Sequence, residues 1–308
     1  MAPSKHYDAG VQYVSADAPL DDIIYLLKRD GGLVVRGMVS QEDLDTTHND
    51  IKDRLDKDEE WDGEFFPKET RRAPSLIALS PTFVRTQMMH PLFQSICAHF
   101  LTTRNSFWWG DKLKESISKP CITSAVALEI GPGGKAQPLH RDSYIHHRVV
   151  PHVEEWDDER DVDREVAIGM MVAGCDVTKE NGGTQFIPGS HLWATKSKTP
   201  PDVNDAVTPQ VNRGDAFIMF SSVFHGGGNN TTDQRRLAYA CFAVRGYLRQ
   251  EENQYLAVPR EIVKQYDRAT QEFIGYYISE PACGFVEELD PYYVLFPEKL
   301  KGVKMVDF

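Results

Sequence analysis

No CxxC pair occurs in the sequence, and its five cysteines, Cys97, Cys121, Cys175, Cys241 and Cys283, are odd in number and widely spaced. That disfavours a disulfide framework or a zinc knuckle, and reduced thiols in a cytoplasmic setting are the expectation. A run near the roughly 18 apolar residues that suggest a membrane span is missing, as is an apolar signal core in the opening "MAPSKHYDAGVQYV". No Gly/Ser-rich or Pro-rich linker divides the 308 residues, so a single domain over 1–308 is expected. There is no basic surplus either. The 46 acidic residues against 34 Lys and Arg leave a formal net charge of −12, which opposes nucleic acid or an anionic membrane as partner. A small-molecule ligand stays open. With 41% apolar and 10% aromatic residues, the chain has ample material for a core.

Residues 19–29, "PLDDIIYLLKR", place apolar side chains at helical spacing after acidic residues suited to a first turn, and "DGG" stops the helix. "LVVRGMV" follows as a strand. Residues 40–62 open with a capping-box pattern and read as a solvated helix, whereas "HPLFQSICAHFLTT" at 90–103 reads as a buried one. The part up to about residue 120 is thus expected to be mostly helical. From 121 the texture changes to strand-like runs, "ITSAVALEI", "VAIGMMVAGCDV", "TQFIPGS", "DAFIMFSSVF" and "RLAYACFAVRG", punctuated by "GPGG", "ENGG", "NRGD" and "GGGNN". Short strands with such turns suggest a sandwich, jelly roll or barrel over about 121–250, leaving 251–308 as a C-terminal extension. Residues 153–165, "VEEWDDERDVDRE", are too charged for a core strand and read as a surface loop or short helix, placed to overhang a site.

Three H-x-D triplets occur, "HYD" at 6, "HND" at 48 and "HRD" at 140. His6 lies in a tail, and His48 and Asp50 lie in an expected helix, where residues two apart point to nearly opposite sides. At 140 the triplet follows a strand and a Gly/Pro turn. In an extended segment residues i and i+2 face the same way, so His140 and Asp142 can reach one ion while Arg141 points away. A third ligand should sit at a strand end. His225, delivered by "GDAFIMFSSVF" and followed by glycines that allow close approach, is favoured over His191 in "IPGSH", which is expected to brace a loop. His146, His147 and His152 read as loop or pocket-rim residues. Two imidazoles and one carboxylate on one face leave positions open on an octahedral ion, the arrangement of non-heme Fe(II) that binds a chelating co-substrate and O2 together. A structural zinc site would be closed, usually with sulfur.

Such an oxygenase needs an electron-donating 2-oxo acid, whose far carboxylate is best met by the planar fork of arginine. Arg235 and Arg236 in "QRRLAY" are neighbours in an extended run, so one faces the pocket and the other turns away.

The combination of "LLKRDGGLVVRGMV", "AQPLHRD", "ENGGTQFIPGSHLW", "NRGDAFIMFSSVFHGGGNNTT", "RRLAYACF" and "YLAVPREIV" resembles the phytanoyl-CoA hydroxylase-like Fe(II)/2-oxoglutarate dioxygenases, within them the fungal secondary-metabolite branch, over most of the chain to about residue 265. The resemblance implies a mainly β fold with flanking α-helices: a double-stranded β-helix (jelly roll, cupin-like) core with N-terminal helices, in a homodimer. It implies Fe(II) held by His140, Asp142 and His225, and 2-oxoglutarate bound by Gln137, Thr184 and the first arginine of "RRL", Arg235. It further implies O2-dependent oxidation of a bulky, largely apolar terpenoid, meroterpenoid or alkaloid by hydrogen abstraction. Asp142 speaks against halogenation, since related halogenases lack this carboxylate. Pocket contributors are sought in "FFPKETRRAPSLIALS" at 65–80 and around Tyr144. Two alternatives stand beside this reading: a cupin-like iron enzyme that does not use 2-oxoglutarate, and a catalytically silent partner of an active homologue.

Overall fold

The computed structural model describes residues 10–59, 62, 63 and 65–302; the His6 triplet lies outside these residues. Among the described residues eleven strands are formed: β1 Tyr13–Ser15, β2 Gly32–Arg36, β3 Thr70–Ala73, β4 Thr103–Trp109, β5 Lys112–Ser118, β6 Cys121–Ile130, β7 Ala167–Ala173, β8 Thr184–Phe186, β9 Ala216–Phe220, β10 His225–Gly227 and β11 Arg236–Val244. Seven of them make one large sheet in the order β1-β2-β9-β7-β11-β6-β3. Its pairs are antiparallel except β1 with β2. A smaller sheet faces it, formed by β8 and β10 and extended by single bridges from His140 to His225 and from Phe186 to Val207. The fold is mainly β with flanking helices, and two opposed sheets enclose the cavity described below.

Alternation along the central strands sorts their side chains onto two faces. Leu237, Tyr239, Cys241 and Ala243 of β11, Ile168, Met170 and Val172 of β7 and Ile218 and Phe220 of β9 belong to the main core, packed with Ile23, Leu27, Leu44, Ile51, Phe93 and Ile96 from three N-terminal helices. Arg236, Ala238, Ala240 and Phe242 of β11 line the cavity between the sheets, as do Ser124, Val126, Leu128 and Ile130 of β6. A strand covered on both faces reads as a nearly unbroken apolar run, which is why "AFIMF" and "LAYACFAV" lack polar alternation. Phe93 is fully buried where helix and sheet meet, and its truncation to Ala is worth about 3–5 kcal/mol.

The first helix, Leu20–Asp30, ends at Gly31, whose φ of 78° is a left-handed cap. A Cβ there would stand 2.5 Å from Nδ1 of His191. Ser40 caps the second helix, Gln41–Asp56, by accepting from the Asp43 N–H. That helix ends before the expected boundary at 62, and residues 60 and 61 lie outside the described ones. The third helix, Pro91–Leu101, is buried as expected.

Two expectations need correction. The part before residue 120 is not helical throughout, because β4 and β5 pair as a hairpin across the Gly110–Asp111 turn. The acidic segment 153–165 is neither a helix nor a purely surface loop. Its turns bury Asp161, Arg164 and Glu165, and Trp156 packs against Phe100 and Phe220. Charge counting misread it because each buried charge has partners within the fold. Arg164 donates to the carbonyls of Pro151, His191 and Leu192, and the fully buried Arg245 donates to those of Phe100, Val162 and Glu165.

Candidate metal centre and cavity

His140 and His225 are paired before any metal is considered. Each backbone N–H donates to the other residue's carbonyl at 2.9 Å, so the two residues face one another across a strand bridge. Their ring centroids are 4.6 Å apart. Such closeness needs a chain without bulk next to it: a Cβ on Gly226 would meet the carbonyls of Gln137 and Pro138 at 3.1 and 3.2 Å. Asp142 opens a short 3-10 turn, Asp142–His146. Its Oδ1 lies 3.5 Å from Nε2 of His140 and its Oδ2 3.5 Å from Nε2 of His225.

The tautomers follow from the partners. Nδ1 of His140 lies 2.8 Å from the Pro138 carbonyl and Nδ1 of His225 lies 3.1 Å from the Val223 carbonyl. A carbonyl only accepts, so each Nδ1 carries the proton and each Nε2 presents its lone pair toward Asp142. Burial lowers the His225 pKa, countered by the nearby Asp142 charge, and favours the neutral ring that ligation needs. Ligand atoms of His140, Asp142 and His225 all lie within 4.8 Å of one another, the one group of this kind among the described residues. Two neutral imidazoles and a carboxylate with lone pairs converging on one point fit a divalent ion of intermediate hardness.

The other histidines do different work. His191 is fully buried; its Nε2 bonds the Lys28 carbonyl at 2.9 Å and its ring packs on Phe220, so it braces the first helix against the loop after β8. Burial pushes its pKa down to about 4. His146 lines the cavity, while His147 and His152 are exposed. His48 sits within the second helix, and Asp50 accepts from the Ser80 hydroxyl at 2.6 Å.

A cavity of about 370 Å³ opens in front of the triad. Phe65, Phe66, Pro67 and Thr70 line it from the 65–80 segment, with Tyr144 and Ile145 from the turn after Asp142. No residue of 153–165 lines it, so the acidic segment does not overhang this site, and of the extension only Glu251 does. Phe65 stands with its ring 5.4 Å from that of His140.

At one end of the cavity is Arg236. It is 4% exposed, its Nη2 donates to the Gly182 carbonyl at 2.7 Å, and its buried Nε has no partner. Burial lowers its pKa to about 10, which still leaves it charged at neutral pH. A buried guanidinium with an unused donor is an incomplete anion site. The expectation had placed Arg235 here, and the register corrects it. Arg236 pairs with Ile130, which puts it on the same face as Ala238 and Ala240, toward the cavity. Arg235 turns outward, about a third exposed, with Nη1 3.6 Å from Glu129. Gln137 and Thr184 both line the cavity. The Gln137 amide bridges the Phe65 carbonyl at 2.9 Å and the Gly227 N–H at 3.0 Å, and the Thr184 hydroxyl lies 3.7 Å from Sδ of Met171.

The phytanoyl-CoA dioxygenase family model matches residues 27–238. Dioxygenase peniF of Penicillium patulum is 36% identical over 278 residues, covering 90% of this chain and 88% of the relative. Dioxygenase himG of Aspergillus japonicus is 36% identical over 282 residues, covering 88% and 86%. Among solved structures, the epimerase SnoN in complex with Fe3+, alpha ketoglutarate and nogalamycin RO superposes with a TM-score of 0.55 at 17% identity, covering 77% of this chain and 88% of that one; at this identity the likeness shows the fold. The chain belongs to the phytanoyl-CoA dioxygenase family. No helix among the described residues is long and apolar enough to cross a membrane.

Proposed function

We propose that this dioxygenase uses Fe(II), 2-oxoglutarate and O2 to oxidise a bulky, largely apolar natural-product intermediate of the terpenoid, meroterpenoid or alkaloid kind. The reading is carried by one arrangement: three ligand atoms within 4.8 Å of one another, facing a cavity whose lining includes a buried arginine with an unused donor.

His140, Asp142 and His225 would hold the iron, whose role when bound is to couple decarboxylation of the 2-oxo acid, giving succinate and CO2, to abstraction of a substrate hydrogen. The protein's own contribution is positioning. The Pro138 and Val223 carbonyls fix the two rings. Arg236 would take the far carboxylate of 2-oxoglutarate, with the Thr184 hydroxyl and the Gln137 amide beside it. Arg236 takes the role first assigned to Arg235. The apolar walls from β6, β11 and Phe65 exclude water and hold the substrate, and that hold selects among hydroxylation, desaturation, epoxidation, rearrangement and endoperoxidation. A second copy of the chain is the proposed partner: the β4–β5 hairpin exposes Trp108, Trp109 and Leu113 at 69%, 56% and 58%.

The functional test is succinate formation from 2-oxoglutarate under air with Fe(II). Succinate that appears only with iron present supports the reading. Oxygen consumption or isomerisation without succinate points to a cupin-like enzyme, and no turnover with any substrate points to a silent partner. Sedimentation of the wild type against Trp108→Glu reads the dimer.

A further inference from the structure

The cavity has a charge direction. Along β6 and β11 the cavity-lining pairs run from Arg236 opposite Ile130, through Ala238 opposite Leu128 and Ala240 opposite Val126, to Phe242 opposite Ser124. Ile130 to Ser124 is six residue steps, about 20 Å at the rise of an extended strand. Arg236 is the sole Lys or Arg among the lining residues, and it stands at the first end. At the other end Ser124 donates from its hydroxyl to the Glu251 carboxylate at 3.2 Å.

Glu251 is held there by design of the backbone. Its N–H donates to the Thr123 hydroxyl at 2.8 Å, and the next N–H donates to the Thr123 carbonyl at 3.0 Å. Its neighbour Glu252 shows what a structural carboxylate looks like here, taking donors from Ser75 and Gln254. Glu251 has Ser124 alone, and its second oxygen has no partner among the described residues. The charges that act on Glu251 are the carboxylates of Asp142 and Glu252, and the lining adds the Tyr144 hydroxyl and the imidazoles of His140 and His146 but no Lys or Arg at this end. Desolvation by the cavity walls, with Asp142 and Glu252 adding repulsion, raises the Glu251 pKa. Glu251 is exposed overall, its carboxylate reaches the cavity, and no Lys or Arg among the described residues pairs with it.

We propose that Glu251 recognises a protonated nitrogen on an otherwise apolar, polycyclic substrate, with the Tyr144 ring as a second, aromatic contact to the same cation. Tyr144 is 55% exposed and lines the same cavity, so its face is open to such a group. The inference rests on the dioxygenase reading and narrows its substrate class to basic alkaloids. The two ends then sort two ligands by charge: the dianionic 2-oxo acid toward Arg236, the cation toward Glu251. The same polarity disfavours an acidic substrate or a second 2-oxo acid at the Glu251 end.

The test uses a panel of polycyclic amines, tetrahydro-β-carboline among them, each paired with its N-acetyl derivative, which keeps the skeleton and removes the charge. Calorimetric titration into the full-length, metal-free protein reads binding without turnover. The amines should bind at least about 10-fold more tightly than their acetamides, as a charge-assisted contact gives. Glu251→Gln should bring each pair to within about 2-fold, and Glu251→Asp, which keeps the charge, should retain part of the preference. Equal binding of amine and acetamide to the wild type, an undiminished preference in Glu251→Gln, or no amine binding at about 1 mM overturns the proposal. The absorption band formed by Fe(II) and 2-oxoglutarate, recorded separately without amine, reports on the metal and co-substrate reading. A protein that forms the band but shows no amine preference refutes the role of Glu251 and leaves the dioxygenase reading standing.

Discussion

Two sets of largely buried polar groups meet at the turn between β9 and β10, and they differ in what they leave unused. On one side Glu165, Arg164, Arg245 and His191 join the acidic segment to the sheets. The Glu165 carboxylate accepts from the hydroxyls of Ser221 and Ser222 and from the N–H groups of Val166, Ala167 and Ser222. His191 leaves only Nδ1 unpartnered, and that atom faces the Gly31 backbone. On the other side His140, Asp142, His225 and Arg236 keep lone pairs or donors that point at the cavity. Both sets are largely withdrawn from solvent and mix charged groups with neutral imidazoles. Nearly saturated bonds mark the first as scaffold, and unspent groups gathered around one cavity mark the second as a site.

The contrast is sharpest at the metal ligands. Asp142→Ala or His225→Ala should reduce iron-dependent succinate formation by about three orders of magnitude or more, while the metal-free unfolding free energy measured in urea changes by less than about 1 kcal/mol. A large loss of stability in the metal-free protein would erase the distinction between the two sets. Glu165→Ala should do the reverse. It strands two hydroxyls and three N–H groups in the interior, and the expected cost in urea unfolding is about 3–5 kcal/mol.

His191 provides the next test. Its pKa in the folded chain is about 4 against 6.5 for a free imidazole. Below pH 6.5 the unfolded chain therefore binds the proton more readily, and stability present above that pH is lost as pH falls toward 4. The loss reaches about 3 kcal/mol for this group. Unfolding measured across pH 4 to 7 should show a shallower slope in His191→Gln than in the wild type. The smallest pair of effects separates the adjacent arginines. Arg236→Met should raise the KM for 2-oxoglutarate about 100-fold, roughly 2.7 kcal/mol. Arg235→Met should change it by less than about 3-fold, since an exposed ion pair contributes little. Equal effects would mean that side-chain orientation on β11 does not decide co-substrate binding.

The sheet was legible where strands are buried on both faces. "ITSAVALEI", "DAFIMF" and "RLAYACFAV" announce β6, β9 and β11, and "HRD" and "VFHGGG" place the two histidines at strand ends. Four features were not legible. The Arg235 and Arg236 ambiguity turns on the register of β11 against β6, which a run of apolar residues does not reveal. The segment 153–165 was misread because burial of a charge depends on partners supplied from residues as distant as Arg245. Glu251 gave no signal, since its placement depends on two hydroxyls of β6, Thr123 and Ser124. The β4–β5 hairpin was missed although "WWGDKL" carries a glycine turn, because its exposed aromatic residues follow no amphipathic alternation.

The metal site itself is tested most directly by anaerobic titration of Fe(II) and then 2-oxoglutarate, followed in the visible spectrum. The wild type should take up one iron per chain and develop a metal-to-ligand charge-transfer band on addition of the oxo acid. His140→Ala, Asp142→Ala and His225→Ala should each lose the band, and Arg236→Met should need far more oxo acid to form it. Stoichiometric iron binding that survives loss of both histidines, or no band in the wild type, would contradict the assignment of His140, Asp142 and His225 as one ferrous centre.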